Sequence, residues 1–365
     1  MLCWSRKILK NNLFLLNCDF PDDVRAEEIR KFYNRALFIP DFSLLKKKNR
    51  DGKEKPEEIY KDCEQNAEDV YDCLMSFPDE CRDMILNFLD DYGEYFLKDF
   101  CAGNVDYDKF PKQLISDRKL KENSLEGMYS IFDYDNCPFN FFNVIYRLHL
   151  INRDRLNRFP SSCCYYDFLN KFGYVNVHAN GRFTLENMVN HEIIHLLSLM
   201  HKCNLPFLLD EAHPIYAGIY ADRYLYGKTE KDIYNISIVN YYCYLERIIA
   251  SVYFSYSMKS LGSSNSYEEF LDKVCKKFDI DSHEASIMIR YNANSNILQT
   301  LKYFVSGLAS MHMLSFDQDK GNALFVKSLC EKSDRLDKME FRDLTSDQLF
   351  DSTRQFEQIK QRVRK

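Results

Sequence analysis

The sequence predicts a mainly helical α+β protein, with a small mixed sheet and one functional helix in a central core and helical segments on both sides. Two patterns support this fold class. Residues 22–125 and the residues after 227 place apolar side chains at helical spacing among alternating charges. Residues 174–178, in contrast, alternate as a half-buried strand does. At 365 residues, the chain is long enough for two or three sub-domains.

Changes in amino-acid composition along the chain indicate the boundaries between the regions. We assign 1–125 to a mostly helical N-terminal region, 126–226 to the core and 227–365 to a helical C-terminal region. In the core, aromatic residues and Asn/Asp become frequent, and the turn signal Asn180-Gly181 follows the predicted strand. The basic end of the chain, 360–365, is predicted to be a solvated tail.

Individual elements follow from the spacing of apolar residues. Helical stripes occur twice before residue 100, and helices are predicted at 233–259 and 297–314 with a loop at 261–266 between them. Residues 141–151 fit a strand and a short helix equally well. The two N-terminal stripes are Ala67, Val70, Tyr71 and Leu74, and Met84, Phe88, Tyr92 and Phe96.

Composition argues against several classes of partner. The net charge of −6 provides no basic surplus for a phosphate backbone, so we expect no nucleic-acid partner. No apolar run approaches the roughly 18 to 20 residues of a membrane span, and residues 1–16 lack the features of a signal peptide. The thirteen cysteines are odd in number and irregularly spaced. We therefore expect free thiols and a cytoplasmic protein, although export without an N-terminal signal would leave the same pattern.

One segment carries a recognisable chemical pattern, His191-Glu192-Ile193-Ile194-His195. Thr184 is a suitable N-cap for a helix through this segment, and an apolar stripe runs along it. Two imidazoles four residues apart point from one side of a helix and can reach one Zn²⁺ at roughly 2.0 to 2.1 Å. Glu192 is rotated by about 100° from His191, so it lies beside the metal and can accept a proton from the attacking water.

This helix resembles the zinc-binding helix of the zincin metallopeptidases. The resemblance covers about 45 residues, from Tyr174 to Gly218, and includes the uncharged residues that flank the two histidines. It implies one zinc ion per chain, Glu192 as the catalytic base, and a peptide or protein substrate. It also implies that residues 174–178 form the edge strand that pairs with an extended substrate, or the neighbour of that strand.

A zincin needs a third protein ligand, and two residues compete for this role. Glu211, 16 residues after His195, stands at the predicted start of the next helix, which resembles the glutamate-zincin branch. His201 has the metzincin spacing, but Ser198 replaces the glycine at which the metzincin helix breaks. In an unbroken helix His201 points away from the shared metal, so Glu211 is the predicted ligand. Asp210 and His213 remain minor candidates.

The remaining site predictions are weaker. Two roles are open for Asp222. It either forms an ion pair at the surface or orients a zinc-bound histidine by accepting a hydrogen bond from the other ring nitrogen. Among many tyrosines, Tyr291 is predicted to donate to the oxyanion of the reaction intermediate. Residues 303–310 are faintly similar to late helices of the thimet oligopeptidase and oligoendopeptidase families, which favours a helical C-terminal half.

These observations together predict a zinc-dependent peptidase, with zinc held by His191, His195 and Glu211. Two other readings stay open. The chain could be a zincin-like scaffold without turnover that serves as a binding or interaction module. It could also be a helical protein without metal, in which the two histidines are incidental.

Overall fold

The computed structural model describes 11 stretches of the chain. These are residues 55–77, 79–103, 116–132, 149–151, 163–167, 172–176, 182–200, 209–227, 231–295, 297–330 and 344–364. The helices in chain order are α1 Pro56–Met75, α2 Asp79–Cys101, α3 Asp117–Ile131, α4 Leu185–Met200, α5 Ala212–Tyr226, α6 Lys231–Met258, α7 Tyr267–Phe278, α8 Ser282–Ala293, α9 Ile297–Ser315, α10 Gln318–Cys330 and α11 Ser346–Val363. The strands are β1 His149–Ile151, β2 Cys163–Asp167 and β3 Phe172–Asn176.

The predicted α+β class, with a zincin-like core built on a mixed sheet, is wrong. Helices dominate the described residues, and the three strands contain only three, five and five residues. The reason is that the alternating pattern is short, whereas helical spacing continues over long stretches on both sides of it. Strands of this length bury little apolar surface, so packing between helices provides most of the core. The mainly helical part of the prediction agrees with the structure.

The strands pair in the order β1-β3-β2. β3 is parallel to β1, with His149 opposite Tyr174, and antiparallel to β2, with Cys163 opposite Asn176. Residues 174–176 of the predicted strand therefore lie in β3, while 177 and 178 fall outside the described residues. Because β3 is paired on both sides, it has no open edge for an extended substrate. Residues 141–151, which the pattern left undecided, end in β1.

The chain forms two compact units. Unit 1 contains the described residues of Lys109–Ser237 and Phe325–Arg335. Unit 2 contains those of Asn49–Asp108, Ile238–Leu324 and Leu336–Lys365. Within the described stretches, no helix is both long enough and apolar enough to cross a membrane.

Unit 1 is organised around α3, α4 and α5, which pack against one another, while α4 also packs against β2 and β3. The apolar stripe predicted for α4 faces this interior, and Leu185, Val189, Ile193 and Leu196 are buried. Burial of this face fixes the rotation of α4 about its own axis and so decides where its histidines point.

In unit 2, α1, α6, α7 and α8 contribute to one apolar core, and α11 packs against α2 and α9. The stripes predicted before residue 100 lie in α1 and α2, and most of their members are buried. The backbones of α2 and α6 approach closely at Gly93, where a Cβ atom would overlap the ring of Tyr253. This close approach requires glycine.

The basic end of the chain is only partly the solvated tail that we predicted. Lys360 lies in α11 and is buried, with its Nζ 2.8 Å from Glu246 Oε2 and 2.9 Å from Asp99 Oδ2. Burial acts to raise the pKa of the Glu246 carboxyl, while the Lys360 ammonium lowers this pKa and favours the carboxylate. The buried charges hold α11 against α2 and α6, a contact that a sequence pattern cannot reveal.

We expect Lys360→Met to destabilise the protein by about 3 to 5 kcal/mol, because it leaves the carboxyl of Glu246 buried without its cation. The side chains of Lys360 and Glu246 are 7% and 0% exposed. Urea unfolding measures the change. As the control, Lys276→Met breaks a surface pair with Asp272 whose side chains are 75% and 61% exposed, and it should cost less than about 1 kcal/mol. Equal costs for the two variants would contradict this account.

Candidate metal centre

Helix α4 carries two of the predicted ligands, and local interactions determine where it starts. The backbone N–H of Asn187 donates to Thr184 Oγ1 at 3.0 Å, so Thr184 caps the helix as predicted. Glu186 lies in the first turn, where the helix dipole favours a carboxylate. It is buried, and its Oε1 accepts a hydrogen bond from Asn123 of α3. The start of α4 is thus fixed at its cap and against α3.

Helix α5 runs antiparallel to α4 at close range. Gly218 makes this approach possible, because a Cβ atom there would lie 2.7 Å from Asn187 Oδ1 and 3.0 Å from the Asn187 carbonyl oxygen. Glu211 directly precedes α5, and its carbonyl oxygen accepts from the Ile215 N–H at 3.0 Å. A helix start was predicted at about Asp210, with Glu211 near its N-terminus and Pro214 in the first turn, and α5 begins two residues later, at Ala212.

The close pairing of α4 and α5 brings His191, His195 and Glu211 together. Glu211 Oε2 lies 3.1 Å from His191 Nε2 and 3.2 Å from His195 Nε2. The two imidazole rings meet edge to face with their centroids 5.0 Å apart. The side chains of His191, His195 and Glu211 are 19%, 15% and 8% exposed, so the group is recessed but still reaches solvent.

The Nε2 atoms of the two histidines and Oε2 of Glu211 can either hydrogen-bond to one another or bind a metal ion. With a proton on Nε2, each imidazole donates a hydrogen bond to the shared carboxylate oxygen. With the proton on Nδ1, both Nε2 lone pairs face the space beside that oxygen. The ligand atoms of the group lie within 4.8 Å of one another, close enough for one metal ion. Among the described residues, this is the one group of three or more His, Cys, Asp or Glu side chains with that property.

The other predicted site residues lie in different places. Glu192 is adjacent to His191 on α4 and is buried. Asp210 and His213 are buried but do not belong to the group of three, and His213 Nε2 contacts Ser328 Oγ at 2.6 Å. Tyr291 belongs to unit 2, where its ring packs against Phe100.

His201 lies outside the described residues. The described part of α4 continues without interruption through Ser198 to Met200. The predicted continuation of α4 to about residue 202 therefore stays a prediction, as does the orientation of His201.

Asp222 forms a polar cluster that sequence reasoning missed. It is buried, so it is not the surface ion pair that we considered, and its hydrogen bonds come from Thr184, Asn187 and Ser237 rather than from a ligand histidine. Burial raises the pKa of Asp222 to about 7, although the three hydrogen bonds oppose the shift. Gly218 and Asp222 stand four residues apart on α5. This spacing places a small residue and a polar residue on one face of the helix, and that pattern in the sequence could have indicated the cluster.

Several of the described cysteines are too buried to ionise readily. Burial raises the pKa of Cys81 to about 11 and those of Cys101 and Cys243 to about 12, so these thiols stay protonated near neutral pH. The expectation of free thiols is confirmed for seven of the thirteen cysteines, namely Cys63, Cys73, Cys81, Cys101, Cys164, Cys243 and Cys275.

Comparisons with models of protein families, with curated proteins and with solved structures found no significant match.

We expect the Asp222 cluster to make stability depend on pH. Because the folded-state pKa lies above the ordinary value of 3.8, the stabilisation from this group is complete below that value and is lost as pH rises through about 7. Asp222→Asn removes this titration. Relative to the variant, the wild type should lose about 2 to 3 kcal/mol of unfolding free energy between about pH 5 and pH 8.

Urea unfolding of both proteins at the two pH values measures this difference. Asp62→Asn, at an exposed position of α1, is the matched control and should leave the pH dependence of the wild type unchanged. If Asp222→Asn also left it unchanged, the cluster would not titrate in this range.

Proposed function

We propose that the protein is a zinc-dependent peptidase, with His191, His195 and Glu211 as the metal ligands. The observation that carries the proposal is the convergence of two imidazole nitrogens and one carboxylate oxygen from two antiparallel helices, with nitrogen–oxygen distances of 3.1 and 3.2 Å. The sequence pattern also supports the proposal, because two imidazoles four residues apart on a helix point from one side.

The two nitrogen–oxygen distances are compatible with a tetrahedral zinc site. Ligand atoms at roughly 2.0 to 2.1 Å from a tetrahedral ion are about 3.3 to 3.4 Å apart, close to the two spacings in the group. Two imidazoles and one carboxylate form a donor set that suits zinc, and three protein ligands leave a fourth position for water or substrate.

The buried carboxyl groups of unit 1 also favour a cation. In the part of this unit that the structure describes, five carboxyl side chains are buried but no lysine or arginine is. In unit 2, in contrast, the buried Glu246 has Lys360 as its partner. A divalent metal held by Glu211 would add positive charge to these surroundings. The five residues are Glu186, Glu192, Asp210, Glu211 and Asp222.

The roles of the chain's own residues follow from their positions. When bound, zinc would supply a Lewis acid that polarises the scissile carbonyl and lowers the pKa of water. Glu192 is turned about 100° from His191 around α4, beside the ligands rather than among them. Its carboxylate accepts the proton of the attacking water and returns it to the leaving amine. The close packing of α4 on α5 fixes the distance between Glu211 and the histidines.

We expect the wild type to bind about one equivalent of zinc, and Glu211→Gln to weaken the affinity by at least about 10-fold, because the amide is a poor ligand and carries no charge. His191→Ala and His195→Ala should abolish stoichiometric binding. A zinc titration with a competing chromophoric chelator measures all four proteins.

Two substitutions serve as controls for zinc binding. His283→Ala removes an exposed histidine of α8, and Glu268→Gln neutralises an exposed carboxylate of α7. Both should bind zinc as the wild type does, and so should His201→Ala. If His201 proved essential and Glu211 dispensable, the third ligand would be the histidine that we rejected. No zinc uptake by the wild type would leave a helical protein in which the histidines are incidental.

We expect Glu192→Gln to retain zinc and the fold but to lose peptide hydrolysis by roughly 100-fold or more, because the amide cannot accept a proton from water. The substrate is a pool of tryptic peptides from casein, in which mass spectrometry detects newly formed termini. Glu268→Gln again provides the matched control.

The activity assay separates the proposal from its alternative. Hydrolysis by the zinc-loaded wild type that disappears in Glu192→Gln is the expected result. If the wild type held zinc but cleaved none of the peptides, the scaffold would be a binding module rather than a peptidase. Equal hydrolysis by the two proteins would show that Glu192 is not the base.

A further inference from the structure

Unit 2 contains a cavity of about 660 Å³, between residues of α6, α8 and α9 and the turn that joins α8 to α9. This volume is typical of sites for small organic molecules, which measure roughly 300 to 1,000 Å³. Its walls include Tyr244 of α6, Arg290 and Tyr291 of α8, and Thr300 and Tyr303 of α9. The reaction proposed above uses none of these residues.

The cavity is cationic in a protein of net charge −6. Arg290 is exposed at its wall, and none of the lining residues is acidic. The chain contains no Asp or Glu between Ala285 and Phe316. The guanidinium of Arg290 enters none of the ion pairs or side-chain hydrogen bonds found within the described stretches. Such a wall repels cations and attracts an anionic group.

The same walls offer flat rings and hydrogen-bonding groups. The rings of Tyr244 and Tyr303 meet edge to face at 5.6 Å, and the ring of Tyr291 packs against Phe100 at 5.5 Å. These contacts hold the tyrosines in place, so that a ligand need not order them on binding. Gln299 and Thr300 add polar side chains to the wall. Tyrosine rings bind planar groups, while an arginine binds carboxylate or phosphate oxygens.

We propose that this cavity binds a small organic anion that carries a planar ring, with Arg290 contacting the anionic group and the three tyrosines contacting the ring. A phosphate and a carboxylate would satisfy the guanidinium in the same way, through two parallel N–H donors. The lining residues do not include the candidate metal ligands, and none of them is a His, Cys, Asp or Glu.

The test is a calorimetric titration of the full-length protein with four probes. AMP and indole-3-acetate each combine a ring with an anionic group, one a phosphate and the other a carboxylate. Adenosine retains the ring of AMP without the charge, and inorganic phosphate retains the charge without the ring. We expect saturable binding of AMP, of indole-3-acetate or of both, at least about 10-fold tighter than binding of adenosine or inorganic phosphate.

Variants then locate the binding site. Arg290→Gln should weaken binding of the anionic probe by about 10-fold or more, while Lys276→Gln, the same charge change at an exposed position of α7, should have no effect. His191→Ala should leave binding intact, which excludes capture of the phosphate by a metal ion. Absence of saturable binding for both ring-bearing anions, equal affinity for adenosine, or unchanged binding by Arg290→Gln would each overturn the proposal.

Discussion

The arrangement of the candidate metal centre depends on the close antiparallel contact between α4 and α5. Gly218 lets the α5 backbone reach Asn187, and Asp222 accepts hydrogen bonds from Thr184 and Asn187 at the start of α4. These contacts fix the distance and the relative position of the two helices. As a result, the start of α5 lies beside the turn of α4 that carries His191 and His195, and Glu211 meets both histidines. A polar cluster at one end of the helix pair thus positions the ligands at the other end.

The two units differ in the side chains that surround their buried carboxyl groups. Unit 2 neutralises Glu246 with Lys360, an arrangement that contributes to stability and needs no ligand. The described part of unit 1 buries five carboxyl groups without burying a lysine or arginine. Burial of a charged carboxylate is unfavourable, and it raises the pKa of Asp222 to about 7, so Asp222 keeps its proton up to about neutral pH. Glu211 shares one oxygen between two imidazoles, and a metal cation bound there, as we propose, would add positive charge beside its carboxylate.

Local features of the site could be predicted from the sequence, whereas long-range pairings could not. The cap at Thr184, the buried stripe of α4 and the start of α5 after Glu211 depend on neighbouring residues, and the structure has them at or within two residues of the predicted positions. The hydrogen bond between Thr184 and Asp222 and the ion pair between Lys360 and Glu246 join residues far apart in the chain. A single sequence carries no periodic signal for such pairs. The sheet was overestimated because a short alternating pattern does not reveal how many residues will pair.

The central claim is that His191, His195 and Glu211 hold one metal ion. Anomalous diffraction from crystals grown with zinc, recorded on both sides of the zinc absorption edge, tests it most directly. We expect one strong anomalous peak about 2.0 to 2.2 Å from His191 Nε2, His195 Nε2 and a carboxylate oxygen of Glu211. A peak that excludes Glu211, or crystals with stoichiometric zinc and no peak between α4 and α5, would contradict it.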